Sequence, residues 1–251
     1  MILDKIIEKK KEEIGRKKQL PLPERRTVLR DFKSAISKAG INLIAEIKYG
    51  SPSLGEIKPK RKAGYLAKVY EKGGASAISC VTEKDFFFGD LSFLREAKDA
   101  TNLPILRKDF IIDPWQIEES FSAGADGLLL IVRILKGELL AELYREAKRA
   151  GLAAIFEVHK EEEIQRAIGA GAEIIGINNR DLNNFEVSLS TTLNLINHIP
   201  KGMVTVAESG IHQREDLLLL EKAGVNAILV GEALLSAKNP LAKTKELLGN
   251  D

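Results

Sequence analysis

Eight short, nearly continuous apolar runs punctuate this chain, at residues 43 to 48, 76 to 82, 104 to 108, 126 to 132, 153 to 157, 173 to 178, 203 to 208 and 226 to 230. Runs of this kind suit strands covered on both faces, as in an all-parallel sheet. Most are preceded by Gly or Gly-Ala, as in Gly73-Gly-Ala, Gly124-Ala-Asp, Gly151-Leu, Gly171-Ala-Glu and Gly224-Val-Asn. A helix that closes on a residue at positive φ favours Gly there, so each of these marks a helix-to-strand turn. Eight strands alternating with helices predict an α/β protein, a single-domain (β/α)8 barrel of the TIM type. The 251 residues match the roughly 250 of one such barrel. An open doubly wound sheet would carry a glycine-rich dinucleotide turn after its first strand. The stretch Lys48-Tyr-Gly-Ser-Pro-Ser-Leu-Gly55 is not that turn.

Residues 1 to 40 read differently. Ile2, Leu3, Ile6, Ile7 and Ile14 recur at near-helical spacing among charges, Pro21 and Pro23 follow, and a second helical stretch is expected to end near Ala39-Gly40. The expected organisation is a helical extension over 1–40 packed on a catalytic barrel over 41–251. A net charge of +2, with basic residues interleaved among acids, gives no footprint for nucleic acid. The lone Cys80 cannot form an internal disulfide, which fits a reducing cytosol. The chain opens Met-Ile-Leu-Asp-Lys and soon reaches Lys9-Lys-Lys-Glu-Glu13, unlike a secretory leader, and no stretch approaches the ~18 apolar residues of a membrane span. A cytoplasmic protein without membrane or obligate protein partner is expected.

The strand ends carry the chemistry, because parallel barrel strands all deliver their C-terminal residues to one mouth. Glu46 and Lys48 stand two apart and so share a face. A structural ion pair is the plainer alternative, but charges inside an apolar barrel are costly unless they have work to do. Lys108 closes the third run and Glu157 the fifth, placing with Lys48 two amines and a carboxylate around one pocket. A lysine beside another cation and partly desolvated is expected to have a lowered pKa and to serve as a proton donor, with a carboxylate as acceptor. Glu208-Ser209-Gly210 and Val230-Gly231-Glu232 end the last two runs, the second where a short helix can start. Backbone N–H groups at such ends suit a phosphate, although turns alone can explain either pair.

Asn178-Asn179-Arg180 ends the sixth run, where the guanidinium either clamps an anion or reaches solvent. Trp115, Phe86, Phe87, Phe88 and Phe110 cluster near the second and third strand ends, as helix packing or as an aromatic wall. Phe87 and Phe110 are the better candidates for the wall. His159, His198 and His212 lack metal-ligand spacing and are assigned to loops or helix surfaces, so no metal is expected.

Six blocks occur in order: Ile44-Ala-Glu-Ile-Lys48 with Ser51-Pro-Ser53, Leu106-Arg-Lys-Asp-Phe-Ile-Ile-Asp-Pro114, Phe156-Glu-Val158, Gly176-Ile-Asn-Asn-Arg-Asp-Leu182, Ala207-Glu-Ser-Gly-Ile211 and Leu229-Val-Gly-Glu-Ala-Leu234. From about Ile44 to Leu248 the chain resembles the indole-3-glycerol phosphate synthase family. The resemblance implies cofactor-free ring closure, decarboxylation and dehydration of a phosphorylated small molecule. It implies Lys108 as general acid, Glu157 as general base, Lys48 on the substrate carboxylate and Glu46 orienting Lys108. It further implies Ser51, Asn178 and Arg180 on the substrate, with Ser209, Gly210, Gly231 and Glu232 on the phosphate; Phe87, Phe110 and Glu208 are expected on the substrate beside them. Phe88 and Asp90 depart from the family pattern in the loop after the second strand, and Tyr49-Gly50 and Leu54 do so after the first. The related isomerase that relies on Cys and Asp is disfavoured, since Cys80 lies within a strand. A decarboxylase built on Asp-x-Lys-x-x-Asp is not matched by Lys108-Asp109 and Asp113. A non-catalytic phosphate binder would not need Glu46, Lys48, Lys108 and Glu157 together.

Overall fold

The computed structural model describes residues 2–250 except 53–54, 58–60 and 182–185. Ser53, Leu54 and Leu182, singled out above, lie outside the described residues. Eight parallel strands close on themselves: β1 (Asn42–Ile47), β2 (Ala77–Val81), β3 (Ile105–Lys108), β4 (Gly127–Ile131), β5 (Ala153–Val158), β6 (Ile174–Asn178), β7 (Val204–Glu208) and β8 (Ala227–Val230). They run in sequence order around the barrel, and β8 pairs with β1 to close it. Every run expected as a strand is one, with ends shifted by a single residue; Lys48 falls just beyond β1. The helices are α1 (Ile2–Lys17), α2 (Phe32–Ala35), α3 (Ala63–Gly73), α4 (Ser92–Ala100), α5 (Trp115–Ser122), α6 (Leu139–Arg149), α7 (Glu161–Gly169), α8 (Ser190–Leu195), α9 (Arg214–Lys222), α10 (Glu232–Leu235) and α11 (Pro240–Leu248). The turns into β2, β4, β5, β6 and β8 place Gly74, Gly124, Gly151, Gly171 and Gly224 at φ between 74° and 99°, the left-handed backbone expected of them.

Strand periodicity sorts the side chains into two layers. Leu43, Ala45 and Ile47 of β1 face outward and pack with Leu66 and Tyr70 of α3. Leu128 and Leu130 of β4 and Phe156 and Val158 of β5 face the helices in the same way. The alternate residues Ile44, Ala77, Leu106, Leu129, Ile155, Ile174, Val206 and Leu229 fill the barrel. Continuing that inward phase along each strand reaches Glu46, Lys108, Glu157, Asn178 and Glu208 at the C-terminal ends. The apolar interior therefore carries its charges only in its top layer.

The extension is less helical than expected. Only Phe32–Ala35 is helical in its second half, and Asp31 caps it by accepting the Ser34 N–H at 2.9 Å. Fully buried Phe32 and Ile36 join the barrel-filling cluster, and Phe32 lies beside Gly127 at the start of β4. At this end Asp126 is 1% exposed. Its carboxylate accepts Lys98 Nζ on both oxygens at 2.6 Å, Arg25 Nη2 at 3.0 Å, and the N–H groups of Arg30 and Ile105 at 2.9 Å. One carboxylate thus ties the extension, α4 and β3 together.

At the other end α1 meets the tip of β3. Lys10, 2% exposed, pairs with Asp109 at 2.9 Å and with Glu13 at 2.6 Å. Arg107 reaches Asp109 at 3.0 Å and Glu119 of α5 at 2.8 Å. Residues 107 and 109 point away from the barrel axis, so this bracing leaves Lys108 between them facing the mouth.

Candidate active site

One open cavity of about 1080 Å³ occupies the mouth. Its lining includes every residue named above for catalysis, substrate and phosphate: Glu46, Lys48, Ser51, Phe87, Lys108, Phe110, Glu157, Asn178, Arg180, Glu208, Ser209, Gly210, Gly231 and Glu232. Strand register explains the convergence. Glu157 stands opposite Gly176 of β6, and Asn178 opposite Glu208 of β7, so charged residues far apart in sequence reach one level.

Lys108 Nζ lies 3.6 Å from Glu208 Oε2, 3.8 Å from Glu157 Oε2 and 4.0 Å from Glu46 Oε2. Lys48 Nζ is 3.4 Å from Glu46 Oε1. Burial opposes the charge on Lys108, but the three carboxylates outweigh it and hold the ammonium above the ordinary lysine range. The expectation of a lowered lysine pKa is therefore corrected: the nearest charges to Lys108 are carboxylates, not Lys48. Glu208 moves the other way. Its burial, reinforced by Glu157 and Glu46 against the opposing pull of Lys108, raises its carboxyl above the ordinary carboxylate range.

That shift has a stability consequence. Folded Glu208 keeps its proton to higher pH than the unfolded chain does, so stability falls as pH rises above the ordinary carboxylate range. Glu208→Gln is expected to remove that slope, raising the urea midpoint more at pH 8 than at pH 5. An equal change at both pH values would refute the assignment.

Glycines make room for the carboxylates. A Cβ on Gly176 would stand 2.5 Å from Glu208 Oε1, and one on Gly231 would collide with Glu46 Oε1. On the rim, Ser209 and Gly210 are consecutively left-handed, at φ 67° and 78°. Asn179 steadies them, donating from Nδ2 to the Ser209 carbonyl at 3.0 Å while Thr192 donates to its Oδ1 at 2.8 Å. The four-residue α10 begins at Glu232, immediately after β8 and Gly231. Arg180 Nη2 lies 3.4 Å from Glu232 Oε2, so this guanidinium reaches across the mouth.

The rings of Phe87 and Phe110 stand 6.0 Å apart at 43° along the cavity. Glu83 fixes that loop by accepting the N–H groups of Asp85, Phe86 and Phe87 at 3.1, 2.8 and 3.0 Å. It was not foreseen, although an acid two to four residues before a run of backbone donors is a recognisable cap. The unusual Phe88 is left-handed at φ 57°, and its ring fills the space where a Cβ on Gly50 would lie. The loops after β1 and β2 thus meet in one contact. Asp90 accepts the Ser92 N–H at 2.8 Å at the head of α4. Cys80 is fully buried in the outer layer, where burial pushes its thiol pKa up.

The family model described as "Indole-3-glycerol phosphate synthase" matches residues 3–247. The chain belongs to the indole-3-glycerol phosphate synthase family. Relatives bearing that name include one from Thermoanaerobacter sp. (strain X514), 43% identical over 99% of this chain and 97% of the relative. Another, from Caldanaerobacter subterraneus subsp. tengcongensis, is 46% identical over 94% of this chain and 93% of its own. Among solved structures, 3-hexulose-6-phosphate synthase has a TM-score of 0.66 at 18% identity, covering 83% of this chain and 99% of that one. Tryptophan synthase from M. tuberculosis has the same TM-score at 12% identity, covering 88% and 98%. At such identities these two show the shared barrel and nothing finer.

In this member of the indole-3-glycerol phosphate synthase family His159 lies in the turn just past β5, a loop position as expected, but its side chain is only 8% exposed, with Nε2 3.8 Å from Glu157 Oε1. The residue sits two past Glu157 and one past the end of β5, where it turns towards α7. His198 and His212 are exposed or partly exposed, as expected.

Proposed function

We propose that this protein converts 1-(2-carboxyphenylamino)-1-deoxyribulose 5-phosphate to indole-3-glycerol phosphate, releasing carbon dioxide and water. The observation that carries the reading is Lys108, a charged amine within 4.0 Å of three carboxylates at the floor of a cavity with an aromatic wall. Attack of the aromatic ring carbon on the ketone develops negative charge on the ketone oxygen. Lys108 gives that oxygen its proton, leaving a hydroxyl. An ammonium kept charged at neutral pH suits this step, because the alkoxide it meets is far more basic than an amine. Loss of carbon dioxide restores the aromatic ring. Glu157 then takes a substrate proton as the hydroxyl, protonated by an amine of the site, leaves as water.

Lys48 binds the substrate carboxylate, and Glu46 orients both amines. Asn178 and Arg180 hold the sugar portion and order the rim, Phe87 and Phe110 flank the aromatic ring, and Ser51 approaches from the loop after β1. Ser209, Gly210, Gly231 and Glu232 receive the phosphate through backbone N–H groups. Glu208 contacts the substrate beside Lys108. In this reading residues 1–40 form the bracing extension and 41–251 the catalytic barrel. The partner is a small phosphorylated molecule, without nucleic acid, membrane or obligate protein, and the setting is the cytoplasm. Among the described residues no helix is long and apolar enough to cross a membrane.

Mixing the purified protein with the carboxyphenylamino substrate in the presence of chelator, and following indole fluorescence, tests the function. Growth of the signal supports it; silence without binding overturns it. A related prediction concerns Gly231→Ala, whose added methyl displaces the Glu46 carboxylate. Turnover is expected to fall about a hundredfold with an unchanged circular dichroism spectrum. Full turnover would show that Glu46 need not stand there.

A further inference from the structure

His159 stands behind Glu157, outside the residues that line the cavity. Its ring lies between two carboxylates: Nε2 is 3.8 Å from Glu157 Oε1, and Nδ1 is 3.7 Å from Glu163 Oε2 on the first turn of α7. Glu163 Oε2 also accepts the backbone N–H of His159 at 2.6 Å, which fixes the residue against that helix. Both ring nitrogens are buried and make no hydrogen bond among the described residues. A neutral imidazole has one N–H and one lone pair, so either tautomer would aim its lone pair at a carboxylate. Only the imidazolium presents an N–H to both. Burial disfavours that charge, but Glu163, Glu157 and Glu208 together overcome it and raise the His159 pKa.

The two oxygens of Glu157 are divided. Oε2 faces Lys108 and Oε1 faces His159. We propose that His159 is a positioning residue, a buried imidazolium that holds Glu157 Oε1 and keeps this carboxylate ionised and aimed after Lys108 has given up its proton. The proposal rests on the reading of Glu157 as the base.

The charges around the ring are Glu157 on β5, Glu163 on α7 and Glu208 on β7. Lys108 on β3 bears on Glu157 from its other oxygen, and Arg133 after β4 acts on Glu163. When Lys108 becomes neutral, Glu46, Glu157 and Glu208 lose their shared cation, and the carboxylate most in need of a replacement is the one that must next accept a proton. His159 supplies it without touching substrate.

The test joins a pH profile to a direct titration. His159→Gln keeps a polar side chain of similar reach without the charge, and is expected to lower kcat about ten- to a hundredfold. With the cation gone the Glu157 carboxyl protonates more readily, so the acidic limb of kcat moves to higher pH by about one unit. A role in packing alone would lower kcat without moving that limb, and such an outcome overturns the proposal. In the otherwise unaltered protein, the His159 imidazole, followed by NMR, is expected to titrate above an ordinary histidine and to fall towards it in Glu157→Gln. An imidazole that titrates identically in both overturns the pairing even if Glu157→Gln abolishes turnover. Retained turnover in Glu157→Gln with a fallen imidazole titration would instead sink the reading of Glu157 as base and leave the ion pair standing.

Discussion

Lys108→Ala is expected to reduce turnover by roughly two to four orders of magnitude while substrate still binds. The proposed phosphate rim and the proposed Phe87–Phe110 wall do not depend on the amine, so binding is expected to persist through them. What disappears is the proton aimed at the ketone oxygen, together with the cation that balances Glu46, Glu157 and Glu208. Lys108→Arg separates the two losses, because a guanidinium keeps the charge but does not release its proton near neutral pH. The arginine variant is expected to recover affinity and little turnover. Single-turnover fluorescence with calorimetric binding reads both quantities, and near-normal turnover in Lys108→Ala would remove this residue from the chemistry.

Asp126→Ala is expected to be the most destabilising single change at the opposite end of the barrel. It strands Lys98, whose side chain is wholly buried, and leaves the Arg25 guanidinium and two backbone N–H groups short of an acceptor. Breaking a buried pair from one side costs about 3–5 kcal/mol. For a chain of this size that lowers the melting temperature by on the order of 10 °C. The companion variant Lys98→Met in the Asp126→Ala background is expected to recover part of the loss, because an apolar residue does not need the missing partner. Thermal unfolding by circular dichroism decides the matter. A melting temperature within a degree or two of the parent would mean that Lys98 finds another anion or water.

The barrel was readable because its signals are local. Apolar runs, positive-φ glycines and strand-end polar residues occur within windows of ten residues, and a parallel closed sheet delivers all strand ends to one place. Glu46, Lys48, Lys108, Glu157 and Glu208 were found for that reason. The relations among them were not readable. Whether Lys108 has lysine or glutamate for its nearest charge depends on register across the barrel, and the lowered pKa expected from Lys48 gave way to a raised one. Lys10 on Asp109 and Arg25 on Asp126 join residues about a hundred positions apart, with no periodicity to announce them. His159 is the instructive case. It follows Glu157 by only two residues, but the glutamate of α7 that faces its other ring nitrogen is set by how the helix packs, which spacing does not announce.

The glycines beneath the carboxylates bear on how such a mouth is inherited. Glu46 with Gly231, and Glu208 with Gly176, are each one unit written at two distant places in the chain. A lineage that replaces either glycine moves the acid off its place, and a lineage that has surrendered the acid no longer has reason to keep the glycine. Directed evolution that varies rim side chains one at a time leaves such pairs untouched, so remodelling this floor calls for libraries that change acid and glycine in the same step.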